Sequence, residues 1–328
     1  MRRAAVLVRR RLLHAGPVLL IVVVGTFLLL EAAPGDAVDA YLASTGGDAG
    51  LVAQLRAEWG LDRSVTSRLL AYLTSLLQLD LGWSVAFSRP VLEVVLDRLG
   101  NTLLLMSAAI ALSFGLGTTF GILAGARPGG ARDRLLSTLS LLLYATPGFW
   151  LGLVLIVLFS VKLAWLPLGG IETIASGKTG LARLLDIARH LVLPASALGL
   201  VYLALYLRLM RASMVEVWRS EFIRAARAKG LRRRRLVLRH VARNALLPVV
   251  TMLGLQAGSM LGGSVVIESV FSVPGLGRLA FEAVTQRDLP LLLGIILAST
   301  VLVILVNLVV DIVYAQLDPR IEATGARP

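Results

Sequence analysis

Cysteine is absent from all 328 residues of the sequence. Disulfide frameworks, thiolate metal sites and thiol nucleophiles are thereby excluded. Histidine is nearly absent too: His14, His190 and His240 are scattered, and no HExxH occurs, so no imidazole cluster for metal or acid–base work is legible. Neither GxSxG nor GxxxxGK[ST] is found, which removes the serine-hydrolase elbow and the common phosphate-binding loop for ATP. Charge is scarce: 16% of residues are Asp, Glu, Lys or Arg, against about 25% in a typical soluble domain. No catalytic constellation remains. The chain reads as a non-catalytic protein with no cofactor or metal of its own.

What is present in excess is apolar residue, 57% of the chain, gathered into charge-free runs. They cover roughly Ala15–Leu30, Asn101–Ala126, Leu135–Val161, Leu191–Leu207, Asn244–Ile267 and Leu289–Val310. At about 1.5 Å per residue, a helix of about 20 residues crosses a hydrocarbon layer of about 30 Å, and a helix satisfies its own backbone there. The fold class expected is an all-α polytopic membrane protein with about six transmembrane helices. The first and fourth runs are short, and the stems of Arg10, Arg11, Arg208 and Arg211 can snorkel to complete them. The first run also resembles a secretory signal peptide, but Glu31 and Pro34 crowd its small-residue cleavage pattern. Before Asp311, which shares a helix face with Asn307, the runs hold no ionisable group. Ion-coupled carriers usually need such groups inside their spans, so a self-powered secondary carrier is the weaker alternative.

The net charge is +13, and its distribution sets an orientation. With the N-terminus inside and six crossings, segments 1–14, 127–134, 208–243 and 311–328 are internal and hold 22 of the 33 basic residues. The positive-inside rule then puts both termini in the cytoplasm. Residues 31–100 become an external region with amphipathic pieces, Leu51–Trp59 and Val65–Leu79, and a turn at Asp80-Leu81-Gly82. Some 70 residues make only a marginal core, so a small helical cap on the membrane is expected. The domain plan is residues 1–33 as N-terminus and first span, 34–100 as cap, 101–316 as a five-helix core, and 317–328 as tail.

The internal segment 208–243 holds twelve basic and two acidic residues. Within it Val215, Trp218, Phe222 and Ala226 fall on one stripe of an amphipathic helix. Ala225 and Ala226 make a small face, and Gly230 ends the helix. Leu231–Ala245 is again helical in pattern, with Leu236, Val237, His240, Val241 and Asn244 on one side, and Leu247-Pro248 opens the fifth span. The segment suits a positive-inside anchor, an anionic-lipid surface of a membrane scaffold, or a nucleic-acid site. None of these needs an alanine face followed by glycine; a docking surface for a partner protein does.

The segment resembles the cytoplasmic loop of ATP-binding-cassette importer permeases, closely that of the dipeptide/oligopeptide (peptide/nickel) permease family. The matching residues are Ala225-Ala226-Arg227-Ala228-Lys229-Gly230-Leu231, Arg239-His240 and Leu247-Pro248. Arg224 stands where the general pattern has Glu, as in the peptide subfamily. Ala33-Pro34-Gly35-Asp36, Asp80-Leu81-Gly82, Asn101-Thr102-Leu103, Phe149-Trp150-Leu151-Gly152, Trp165-Leu166-Pro167, Glu268 with Pro274-Gly275-Leu276-Gly277, and Asp318-Pro319-Arg320 agree in order. The resemblance implies a type I ABC importer permease fold in a bacterial inner membrane. It implies a second homologous permease, two cytosolic ABC ATPase subunits that hold the ATP and magnesium, and an extracytoplasmic solute-binding protein, with membrane lipid around them and no nucleic acid. It assigns loop 213–246 to ATPase coupling, through Trp218, Glu221, Phe222, Ala225, Ala226, Lys229, Gly230 and Leu231. It assigns Glu268, Pro274, Gly275 and Gly277 to an external loop or gate. The substrate expected is a peptide or similar small solute.

Overall fold

The computed structural model describes residues 2–32, Val38 and 62–317, with the side chains of 15–32, 38, 62–310 and 312. Leu51–Trp59, Ala33-Pro34-Gly35-Asp36, Asp318-Pro319-Arg320 and the side chain of Asp311 lie outside the described residues. In chain order the elements are α1 (Arg2–Glu31), α2 (Val65–Leu77), a short hairpin of β1 (Trp83–Ser84) and β2 (Arg89–Pro90), and α3 (Val91–Gly125). Then come α4 (Ala131–Ala145), α5 (Gly148–Lys162), α6 (Gly180–Trp218), α7 (Glu221–Ala228) and α8 (Arg233–Val270). The chain closes with α9 (Leu276–Thr285) and α10 (Leu289–Leu317).

Among the described residues four helices, α3, α6, α8 and α10, are long and apolar enough to cross a membrane, and the α4–α5 pair makes up to five. The first apolar run sits in α1, a helix of 30 residues. The third run, expected as one span, is broken: α4 and α5 are bent by 102° at Thr146-Pro147. Proline removes an N–H and pushes the residue before it out of the helical region, and Thr146 is extended at ψ 127. Pro248, expected to open the fifth span, lies inside one continuous helix instead. Helix α8 runs straight through it, because the buried neighbours Ala245, Val249 and Val250 hold both sides in register and membrane helices tolerate an internal proline.

The chain divides into two compact units, residues 1–102 with 274–304, and residues 103–273 with 305–328. In the first, α1 meets α2: the rings of Phe27 and Tyr72 stack at 6.1 Å, and Arg68 pairs with Glu31 at 2.8 Å. Helix α2 is the amphipathic piece expected at Val65–Leu79, begun by Ser64, whose Oγ accepts from the N–H of Ser67. Hairpin pairing matches Trp83 with Pro90 and Ser84 with Arg89. Asp288, 3% exposed, accepts Ser84 Oγ at 2.6 Å and the Ala86 N–H at 3.0 Å, and its other oxygen caps α10 through the Leu291 N–H at 3.1 Å. Val91, Val94 and Val95 of α3 share a core with Leu276, Leu279 and Ala283 of α9 and with Leu291 and Ile295 of α10.

In the second unit α6 is the central helix, packed against α4, α5 and α8. Its 39 residues measure about 58 Å at 1.5 Å each, about twice the hydrocarbon layer. So the fourth apolar run, 17 residues long in the sequence, is the middle of a rod. Helix α3 lies against α6 along Gly117, Gly121 and Gly125. A Cβ there would meet the Cβ of Tyr206, Met210 and Met214 at 2.8, 2.5 and 2.7 Å. Small residues four apart let two backbones approach where lipid gives no hydrophobic drive. The loop before α6 is gathered by Asp186, which accepts the Thr173 N–H at 2.6 Å, Thr173 Oγ at 3.0 Å and Lys178 Nζ at 2.5 Å.

Candidate coupling site

The segment singled out by its charge is not one amphipathic helix. Helix α6 ends at Trp218, and α7 starts at Glu221 after the extended Ser220. Ser220 donates its hydroxyl to the Val217 carbonyl at 2.6 Å, a local bond that competes with helix continuation. The expected stripe of Val215, Trp218, Phe222 and Ala226 is therefore cut. Trp218 turns inward: its indole N–H donates to the Gly125 carbonyl at 2.9 Å, while the Arg227 guanidinium lies over its ring at 5.6 Å.

Helix α7 has its own inner face. Ile223, 1% exposed, joins a core of Tyr206, Met210 and Met214 from α6 and Leu236, Val237, Val241, Ala242, Ala245 and Val249 from α8, with Ala226 and Trp218 packed at its edge. Burying such a side chain is worth about 1.5–3 kcal/mol, enough to hold a two-turn helix that would not persist alone. The outer face carries Phe222, 47% exposed, and the exposed Ala225 and Lys229. These three are spaced three and four apart, hence on one side of the helix. Glu221 is exposed and pairs with Arg224 at 3.3 Å. A pair so open to water adds little stability. Lys229 ends the helix with its N–H on the Ala225 carbonyl at 3.1 Å. Gly230 follows at φ +73, and a Cβ there would meet nothing within 4 Å. Its place is earned by the left-handed turn. Leu231 is half-buried, and Arg232 to Arg235 are exposed.

Beyond Gly230 the chain re-enters the bundle through α8, whose turn Leu236–Val241 is π-wound. That winding buries Leu236, Val237 and Val241; His240 stays half-buried, and Asn244, exposed, donates to the His240 carbonyl at 2.6 Å. Three side chains tie this element to the turn between α3 and α4. Trp218 holds Gly125, Arg233 Nη2 donates to the Ala126 carbonyl at 2.9 Å, and Arg211 grips Asp133 in a two-pronged pair whose second contact is 2.9 Å. Asp133 also accepts the Gly129 N–H at 2.7 Å and Ser137 Oγ at 3.2 Å. Ile223 and Asp133 did not stand out in the sequence, and Arg211, expected to reach the headgroups, is turned to Asp133 instead. The outward 222–225–229 spacing was the one available signal for the opposite face.

Of the residues expected in an external loop or gate, Pro274 and Gly275 lie in the connection between α8 and α9, Gly277 in the first turn of α9, and Glu268 in α8. Glu268 lies inside α8 and is 0% exposed, and its carbonyl accepts the Val273 N–H at 2.8 Å. It belongs to a packed helix end instead of a loop, because α8 continues three residues past the apolar run. Separately, Pro274, Gly275 and Gly277 are packed down. The Pro274 carbonyl accepts Asn101 Nδ2 at 2.8 Å, Gly275 is the extended residue before α9, and Thr102 Oγ1 accepts the Leu276 N–H at 2.8 Å. Gly275 and Gly277 are both buried. Among the described residues no His, Asp and Glu group is arranged to hold a metal.

Comparison with known proteins adds a family. The chain is 38% identical to the oligopeptide transport system permease protein AppB of Bacillus subtilis over 320 residues, covering 97% of this chain and 99% of that one. It is 39% identical to the di/tripeptide transport system permease protein DppB of Pseudomonas aeruginosa over 312 residues, covering 90% and 92%. Among solved structures it shares the fold of the inward-facing MetNI methionine ABC transporter, at a TM-score of 0.55 and 18% identity, covering 69% of this chain and 96% of that one. Residues 117–323 match the binding-protein-dependent transport system inner membrane component. With that match over most of its length and near-full-length relatives, this chain belongs to the family of binding-protein-dependent transport system inner membrane components.

Proposed function

We propose that this chain is the permease subunit of an ATP-binding-cassette importer for peptides or similar small solutes. It pairs with a second permease to form the path, and separate cytosolic ATPase subunits drive it and hold the ATP and magnesium. The chain itself catalyses nothing and binds no cofactor. An extracytoplasmic binding protein delivers the solute, and both termini face the cytoplasm. Relatives named for oligopeptide and di/tripeptide transport support the substrate class. The basic segment 208–243, twelve Lys and Arg against two acidic residues, supports the orientation.

One observation carries the coupling role. Helix α7 turns Phe222, Ala225 and Lys229 outward while Ile223 and Trp218 fasten its other side to the spans. A partner that grips the outer face moves the helix, and the rigid inner face passes the motion to α6 and α8. Such a handle biases a two-state bundle when ATP closes the ATPase pair. Gly230 supplies the turn that lets the chain leave the handle and re-enter the bundle.

The test is co-purification of the ATPase subunits with the permease. Phe222→Asp or Ala225→Asp changes only the outer face, so membrane insertion and melting stay at the wild-type level. A charge buried at an interface costs more than 1.4 kcal/mol, so retained ATPase falls at least about tenfold. Undiminished ATPase on both variants would sink the assignment of this face.

A further inference from the structure

A cavity of about 440 Å³ lies far in sequence from the coupling helix, in the unit of residues 1–102 and 274–304. That is the size of a small-molecule site. Most of its wall is apolar. Phe27 and Leu30 come from the last turns of α1, and Leu289, Pro290 and Leu293 from the first turns of α10. Helix α10 is long and apolar enough to cross the membrane, so its first turns sit where hydrocarbon gives way to headgroups. Tyr72 and Trp83 line the same cavity, and amphipathic aromatics concentrate at that level.

The polar groups at the cavity are unequally committed. Glu31 and Arg68 neutralise each other at 2.8 Å. Asp80 is turned to its own loop, accepting the Gly82 N–H at 2.9 Å. Arg63 lines the cavity, and among the described residues nothing pairs with its guanidinium. The Tyr72 hydroxyl is buried with no hydrogen-bond partner among the described residues, and burial pushes its pKa up to about 12, so it remains a donor. A buried unpaired hydroxyl costs about 1–3 kcal/mol unless something arrives to accept from it. A cation and a donor left uncommitted among the described residues, beside an apolar chamber, call for a ligand with an anionic oxygen-bearing head and a hydrocarbon body.

We propose that this cavity is a binding site for one anionic phospholipid, with an acyl chain among Phe27, Leu30, Leu289 and Leu293 and its phosphate on Arg63. The bilayer supplies the ligand directly, because the chamber is walled by the ends of membrane helices. The bound lipid would hold α1, α2 and α10 together at the membrane surface. This reading does not depend on the coupling role of α7.

The test is native mass spectrometry of the full chain in mild detergent, with added phosphatidylglycerol or phosphatidylcholine of matched chains. Wild type retains one phosphatidylglycerol in preference to phosphatidylcholine by about fivefold, the effect of one basic residue on an anionic lipid. Arg63→Gln, a change at an exposed position that leaves folding intact, brings the two lipids to parity. Ala71→Trp fills the chamber and removes both. Equal retention of the two lipids by wild type, an unchanged preference in Arg63→Gln, or displacement of the lipid by a short peptide would each overturn the proposal.

Discussion

At Asp133 the chain places a carboxylate where only 2% of the residue reaches solvent, and Arg211 answers it from 78 positions away. Breaking such a pair from one side costs more than never having had it, because the remaining charge is stranded. Arg211→Ala is expected to destabilise by about 3 kcal/mol, the low end of the usual range, since Arg211 is itself about a third exposed. Asp133→Asn keeps the shape and two of the hydrogen bonds and should cost less, and adding it to Arg211→Ala should recover part of the loss. Thermal unfolding in detergent measures all three. A wild-type melting temperature for Arg211→Ala would mean the pair holds nothing. Neither residue was legible as a partner in the sequence. A carboxylate at one helix start and a guanidinium in a later helix have no fixed spacing that marks them. Ile223 was hidden for a related reason, since only the break at Ser220 resets the helical phase so that 223 faces in and 222 out.

Among the elements, the contact of α3 with α6 rests on a ladder of glycines at 117, 121 and 125. Gly121→Leu forces the two backbones apart, an overpacking of about 1–3 kcal/mol or more, and should lower the yield and melting temperature of the folded chain. Gly115→Leu on the same helix, where a Cβ meets nothing within 4 Å, should be nearly silent. Equal effects of the two would show that helix propensity, rather than close approach, is what glycine supplies. The four-residue spacing was readable in the sequence, but which helix it faced was not. The loop before α6 shows the same division. Glu172 is held below its usual carboxylate range by the hydrogen bond from Arg183. This arm therefore stays charged at any pH that ionises a free glutamate. Yet the loop's main clamp is Asp186, whose partners Thr173 and Lys178 could not be picked from spacing alone.

For the whole molecule, the absence of cysteine makes every engineered thiol a clean reporter of sidedness. Single substitutions Lys229→Cys and Ser176→Cys both fall at exposed positions. With a membrane-impermeant maleimide on intact cells, position 176 should label and position 229 should label only after the membrane is opened. The reverse pattern would invert the orientation and with it the coupling role of α7. Charge bias argues for the expected result, because the segment around 229 carries the densest basic cluster in the chain.

Membrane residence, the helical class, and the family motif around Ala225–Leu231 follow from the sequence by itself. Each is a local property: a run of apolar residues long enough for a bilayer, a backbone that lipid forces to satisfy itself, and a short string of residue types. Only the tertiary structure decided that the third run bends by 102°, that Glu268 is sealed inside a helix, and that α7 begins afresh at Glu221. The bend also has a local signal in Pro147. Whether a proline breaks a helix, as there, or is carried through it, as at Pro248, depends on the side chains packed around it. Ala245 and Val249 beside Pro248 are buried against Tyr206, Met210 and Met214, and no window of sequence around the proline contains those.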